Sequence, residues 1–192
     1  SHEKAADAAK SGRFKGEITP IETPDGMVDT DGTIRPESTV EALAELKPVF
    51  DENGTVTAAT SSPLTDGAAA AIICSEEYAK KNGLEILARI KSTAVSGCHA
   101  EIMGIGPVAA SQKALKRAGL TMADMDVIEL NEAFAAQSLA VIKDLGIDQK
   151  KLNLDGGAIA LGHPLGVSGV RITCKAAQIM KREGGKYALA TM

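Results

Sequence analysis

The sequence predicts an α/β fold, a central sheet with helices on its faces. Three observations predict it. From residue 84 onward, β-branched runs alternate with amphipathic helical stretches, the pattern of strand–helix–strand units. Aromatic residues are 3% of the 192 residues and Trp is absent, so the core falls to Ala, Ile, Leu, Val and Met. Hydrophobic residues at 44% against 24% charged leave enough apolar material for a real core under a polar surface.

Taken in order, residues 1–16 have Ala-rich helical spacing with a stop at Gly12 or Gly16. "GEITPIETPDG" is a short extended segment running into a turn punctuated by Pro20, Pro24 and Asp25-Gly26, and "MVDTDGTIRPEST" is a polar loop. Ser38 or Thr39 caps a helix in "STVEALAELKPVFDENG", where Val40, Leu43, Leu46 and Phe50 make one face and "DENG" is the turn that ends it. "TVTAATSSPLTDG" reads as a short β segment and then a loop of small hydroxyl residues. "AAAAIICS" is a buried strand or a short buried helix, which periodicity does not separate. Ser75 caps the helix "EEYAKKNG", closed by Gly83, and "LEILARIKSTAVSG" alternates as a strand does.

"MGIGPVAASQKALKRAGL" is a Gly/Pro loop leading into a helix that stops at Gly119. "DVIEL" is a strand followed by a long helix starting near Asn131, and "LNLDGGAIALGHPLG" is a strand with a glycine-rich turn. A helix over "VSGVRITCKAAQIMKREGG" and a strand in "KYALATM" complete the chain. Residues 1–64 are looser and turn-rich, so a boundary falls at residues 64–86.

The net charge of −4 carries no basic footprint for nucleic acid. Cys74, Cys98 and Cys174 are far apart, odd in number and without metal-ligand spacing, which reads as free thiols in a reducing, cytoplasmic compartment with no bound metal. No apolar run approaches the roughly 18 residues of a membrane span. The chain opens in helical rhythm without an initiating Met, so it is expected to be a piece of something longer.

In α/β sheets, ligands collect beyond the carboxyl ends of the strands. Asn131-Glu132 follows the strand "DVIEL", and His163 follows "LNLDGGAIALG". A neutral His there serves as base, acid or hydrogen-bond donor, and an Asn amide fixes a water or polarises a carbonyl. The bland alternatives stay open: Asn131 as a helix N-cap, and His163 as a loop residue with a satisfied ring. Thr60, Ser61, Ser62 and Thr65 either hold an amide-bearing ligand arm or cap a turn. Met103 is a soft apolar wall or a core Met, Cys174 reads as buried and inert, and His2 as solvated. Cys98 beside His99 suggests an activated thiolate, but adjacent residues seldom orient towards each other in that way.

Four stretches in one order, "TDGAAAAII" (65–73), "MGIGP" (103–107), "NEAFAAQ" (131–137) and "GGAIALGHPLGVSG" (156–169), resemble the thiolases, the 3-ketoacyl-coenzyme A thiolase and acetyl-coenzyme A acetyltransferase family. "GTVTAATSSPLTDGAAA" is more similar to the fatty-acid-oxidation branch. The resemblance implies a mixed central sheet with helices on both faces, plus part of an inserted loop domain. It divides the chain into 1–64, the later part of the loop domain; 65–86, a segment returning to another half; and 87–192, most of a C-terminal half. It implies an acyltransferase that makes or breaks a carbon–carbon bond between acyl groups on coenzyme A. Coenzyme A and acyl-coenzyme A are substrates, there is no tightly bound cofactor, and the full-length protein is a homo-oligomer, dimer or tetramer.

Carried over by motif, His163 activates the nucleophile and Asn131 positions a water in the oxyanion hole. Ser62 contacts the pantetheine arm, Met103, Ala133 and Phe134 line the acyl and pantetheine pocket, and Arg35, Ala42 and Phe50 face the adenine-nucleotide end. The family also uses two cysteines. None of Cys74, Cys98 and Cys174 falls at either place, and Met192 stands one residue before the second. The chain is therefore expected to be roughly the C-terminal half of a thiolase, inactive alone. Two alternatives are a non-catalytic coenzyme A-binding or scaffold protein on the same fold, and a condensing enzyme of fatty-acid or polyketide synthesis. The second usually has a His where Asn131 stands.

Overall fold

The structure, a computed structural model, describes residues 1–192. Helix α1 (His2–Lys10) buries Ala5 and Ala8 and ends before Gly12. A small antiparallel hairpin follows, β1 (Ile21–Thr23) and β2 (Gly26–Val28), turning at Pro24-Asp25. Short helices α2 (Val40–Ala44) and α3 (Glu76–Lys81) come next. The remainder is α4 (Gly106–Ala118), β3 (Val127–Leu130), α5 (Ala135–Leu145), α6 (Ala158–Leu161), α7 (Ser168–Glu183) and β4 (Ala188–Thr191).

Strands β3 and β4 pair in parallel from Val127↔Ala188 to Leu130↔Thr191 and organise everything that surrounds the site. Every residue of β3 is buried, as in a strand covered on both faces. Ile128 and Leu130 join Leu115 of α4, Val141 of α5 and Leu189 of β4 in the hydrophobic core. Helix α7 packs on the other side of the pair. The two-sided arrangement expected from the sequence is present. The central sheet, however, is a parallel pair here rather than a broad mixed sheet.

Local chemistry accounts for several departures from expectation. The helix at α2 is capped as predicted, with the Thr39 hydroxyl accepting from Ala42 N–H at 3.2 Å. It lasts only five residues, because Pro48 disfavours helical geometry at Lys47 and breaks the ladder. Leu46 and Phe50 therefore do not extend a buried face, and Phe50 is 79% exposed. The short β segment read in residues 55–60 is a 3₁₀ turn over Ala58–Thr60. There the Thr60 hydroxyl accepts from Thr57 N–H at 2.8 Å, an example of a side chain taking over from a ladder.

Two other expected strands lack partners. Residues 68–75 are neither strand nor buried helix, with Ile73 80% exposed. Residues 84–97 form no ladder; they are tied to α4 by side chains, Ser92 to the Ala114 carbonyl at 2.8 Å and Lys113 to the Val95 carbonyl at 3.2 Å. A strand needs a neighbouring backbone, and none of the 192 residues supplies one. The expected strand at 152–155 is reduced to one parallel bridge, Ile128↔Leu152. The Asn153 side chain then replaces a strand neighbour: its Oδ1 accepts from Leu130 N–H and its Nδ2 donates to the Leu130 carbonyl, each at 2.9 Å.

These apolar, unpaired segments carry a prediction. The 192 residues purified alone are expected to self-associate and to melt without a cooperative monomeric transition, as followed by calorimetry and light scattering. A sharp monomeric melt would overturn it.

Candidate active site

The four motif stretches, far apart in sequence, meet beyond the carboxyl end of β3. Asn131 leaves the strand with its N–H donating to the Thr191 carbonyl of β4 at 3.0 Å. It is 3% exposed, and its Oδ1 is buried without a hydrogen-bond partner. The N-cap alternative is excluded, because α5 begins at Ala135 and Phe134 occupies the cap position. A buried amide oxygen that caps nothing costs free energy at this position, as is usual for groups held for binding.

Glu132 joins this loop to the glycine-rich one. Its carboxylate accepts from Ile159 N–H at 3.1 Å and from Asn153 Nδ2 at 3.0 Å. On the other side, Ser62 donates to the Ala133 carbonyl from both backbone N–H, at 3.0 Å, and hydroxyl, at 3.2 Å. The Ser61↔Phe134 bridge extends that contact. The hydroxyl cluster thus both caps its own turn and docks on the Asn131 loop.

Two glycines let residues 65–67 approach the loop that carries His163. Gly162 has φ +83°, and a Cβ there would collide with the Thr65 hydroxyl. A Cβ on Gly67 would lie 2.9 Å from Pro164 Cγ, so residues 65–67 are pressed against "GHP".

His163 is half-buried, with Nδ1 2.6 Å from the Ser168 hydroxyl, which also lies 3.2 Å from the Pro164 carbonyl. The arrangement that satisfies both has Nδ1–H donating to Ser168 and the Ser168 hydroxyl donating to Pro164. This leaves the Nε2 lone pair free to accept a proton. Burial, and then the Arg171 cation, hold the imidazole below the ordinary histidine range, so it is neutral at pH 7. Ser168 is fully buried at the start of α7. No periodicity marks it; its only sequence signal is its place five residues after His163 in a glycine-rich frame.

The other expected residues distribute unevenly. Phe134 and Ala133 border the Asn131 loop, and Met103 stands 71% exposed, which excludes the core-Met alternative. Its neighbour Gly104 abuts Gln137 of α5. Arg35 donates its N–H to His2 Nδ1 at 3.1 Å, so His2 is tethered rather than solvated. Ala42 and Phe50 are exposed on and beyond α2 and are not drawn into the cluster. Cys98 is exposed, with its Sγ 3.8 Å from the Met103 carbonyl, and Cys174 is half-buried rather than buried.

A neutral, oriented imidazole and a buried amide stand on loops that Glu132 joins, above a parallel α/β core. Residues 84–192 match the thiolase C-terminal domain and residues 1–77 the thiolase N-terminal domain, and the chain belongs to the thiolase family. It is 59% identical to the 3-ketoacyl-CoA thiolase of Vibrio parahaemolyticus, covering 100% of this chain and 51% of the relative. It is 60% identical to that of Vibrio cholerae, covering 100% and 52%.

Among solved structures, human mitochondrial 3-ketoacyl-CoA thiolase in complex with CoA superposes with a TM-score of 0.95 at 49% identity, covering 100% of this chain and 49% of that one. The Bacillus anthracis acetyl-CoA acetyltransferase gives 0.94 at 43% identity, covering 99% and 49%. The chain spans about half the length of the curated relatives it matches.

Proposed function

We propose that these residues are the histidine–asparagine side of the active site of a 3-ketoacyl-coenzyme A thiolase. The observation that carries this reading is the convergence of the four motif stretches on one locus, with Ser61 and Ser62 against the Asn131 loop and Thr65 and Gly67 against Gly162 and Pro164, which flank His163. In the proposed reaction, His163 Nε2 takes the proton of a cysteine thiol supplied from outside residues 1–192. The thiolate attacks the 3-keto carbonyl, and the oxyanion forms near the Asn131 amide. The oxyanion collapses, the carbon–carbon bond breaks, and the acetyl-coenzyme A enolate leaves with a proton taken from the second cysteine, also supplied from outside residues 1–192; the acyl group remains on the first cysteine until coenzyme A attacks it.

Residues 1–64 contribute to the coenzyme A cradle through Arg35, Ala42 and Phe50. Residues 65–86 connect to the other half, and residues 87–192 carry the His163–Asn131 side with Met103, Ala133 and Phe134 along the acyl and pantetheine path. The protein works in the cytoplasm as a dimer or tetramer. The test is coenzyme A-dependent cleavage of acetoacetyl-coenzyme A by the full reading frame that carries these residues, beside the 192 residues alone. Turnover by the former and none by the latter is expected. An inactive full frame overturns the reading, and turnover by the 192 residues alone overturns the need for an outside cysteine.

A further inference from the structure

The three buried side-chain atoms without a hydrogen-bond partner are Asn131 Oδ1, Glu129 Oε1 and Arg171 Nε, and Glu129 and Arg171 are close enough to influence each other's ionisation. Glu129 is on β3 and Arg171 on α7, the helix that packs across that strand. Arg171 sits one turn into α7, and its Nη2 donates to the Gly162 carbonyl at 3.1 Å. That carbonyl belongs to the peptide bond leading into His163. Gly162 holds φ +83° under Thr65, so the peptide has little freedom of its own once the guanidinium grips it.

We propose that Arg171 is a positioning residue for His163: it pins the Gly162 carbonyl and presents its charge to the imidazole, with the Glu129 carboxyl packed behind it. This rests on the role proposed above for His163. The charged groups around Arg171 are Glu129 on β3, Glu132 in the Asn131 loop and Asp31 in the loop after β2. Burial pushes the Glu129 carboxyl up to about 8, so at neutral pH it is protonated and does not quench the guanidinium. Arg171 is the charged residue that acts on His163, and its direction is to disfavour the imidazolium. Arginine suits the position because its planar fork holds a carbonyl while staying charged at every working pH.

The experiment uses the full reading frame, with histidine ring carbons labelled and His163 assigned through His163→Asn. In Arg171→Gln the His163 titration midpoint is expected to move upward, and kcat to fall about tenfold or more with KM for coenzyme A unchanged. Arg171→Lys keeps the charge without the fork, so the midpoint is expected to stay near that of the parent while kcat still falls. A midpoint unmoved in Arg171→Gln overturns the proposal. If Arg171→Gln does not fold, Arg171→Met, which keeps the apolar stem and removes the charge and the fork, is read for the same midpoint. An unmoved midpoint there overturns the proposal. The NMR titration does not need turnover, so a protein without thiolase activity would sink the functional reading and still decide the role of Arg171.

Discussion

His163→Ala in the full reading frame is expected to lower kcat for acetoacetyl-coenzyme A cleavage by about 10²–10⁴-fold, the usual contribution of a positioned general base. Binding of coenzyme A, measured by calorimetry, is expected to persist, because in the proposed reaction the imidazole acts on the thiol proton and not on the nucleotide. The pH dependence has a definite sign. The base must be neutral, and burial together with Arg171 depresses its pKa below 6.5. The acid limb of kcat/KM assigned to His163 is therefore expected below pH 6.5. A variant that keeps a tenth or more of parental kcat removes His163 from the chemistry.

The second large effect is structural. Asp155 is fully buried and accepts from Arg182 at 2.7 and 3.0 Å, from Arg13 at 3.2 Å and from Lys175 at 3.4 Å. Lys175 also pairs with Glu17 and lies over the Phe14 ring. One carboxylate thus clamps the segment after α1 to α7, the helix that carries Ser168 and Arg171. Asp155→Ala leaves the partly buried cations facing each other and is expected to cost about 3–5 kcal/mol in denaturant unfolding of the full reading frame. A loss below about 1 kcal/mol would show that the clamp does not hold these elements together.

Burial alone would raise the Asp155 carboxyl, but hydrogen bonds from Arg182 and the charge of Lys175 outweigh it and hold it low. Its folded pKa lies below its unfolded one. Its stabilisation is therefore present above about pH 4 and is lost as the pH falls through the folded value. The parent is expected to lose stability on that acid side more steeply than Asp155→Ala.

The residues most readily legible in the sequence were those governed by neighbours a few positions away. The Thr39 and Ser75 caps form as their spacing predicts, each accepting from the N–H three residues on. Helix α4 stops at Gly119 and α7 at Gly184, and "DVIEL" and "KYALATM" both contain strands. The family was legible for a different reason: four short motifs in one order are a joint constraint that local periodicity does not impose by accident. The sequence did less well where a strand's existence depends on what lies beside it. "LEILARIKSTAVSG" has every local mark of a strand, yet its backbone meets no partner and Val95 is 84% exposed.

Sequence alone determined the family, the α/β class, the main helices of residues 106–183 and the pairing of His163 with Asn131 as candidates. Those follow from periodicity, caps and motif order, all of which are local or additive along the chain. Tertiary structure alone decided that Asn131 caps no helix, that Ser168 orients His163, that Glu132 and Asn153 lock the two loops, and that Arg171 reaches the Gly162 carbonyl. Each of these is a contact between side chains and backbones brought together by the β3–β4 pair and α7. Their geometry depends on packing across the whole core, which no window of sequence contains.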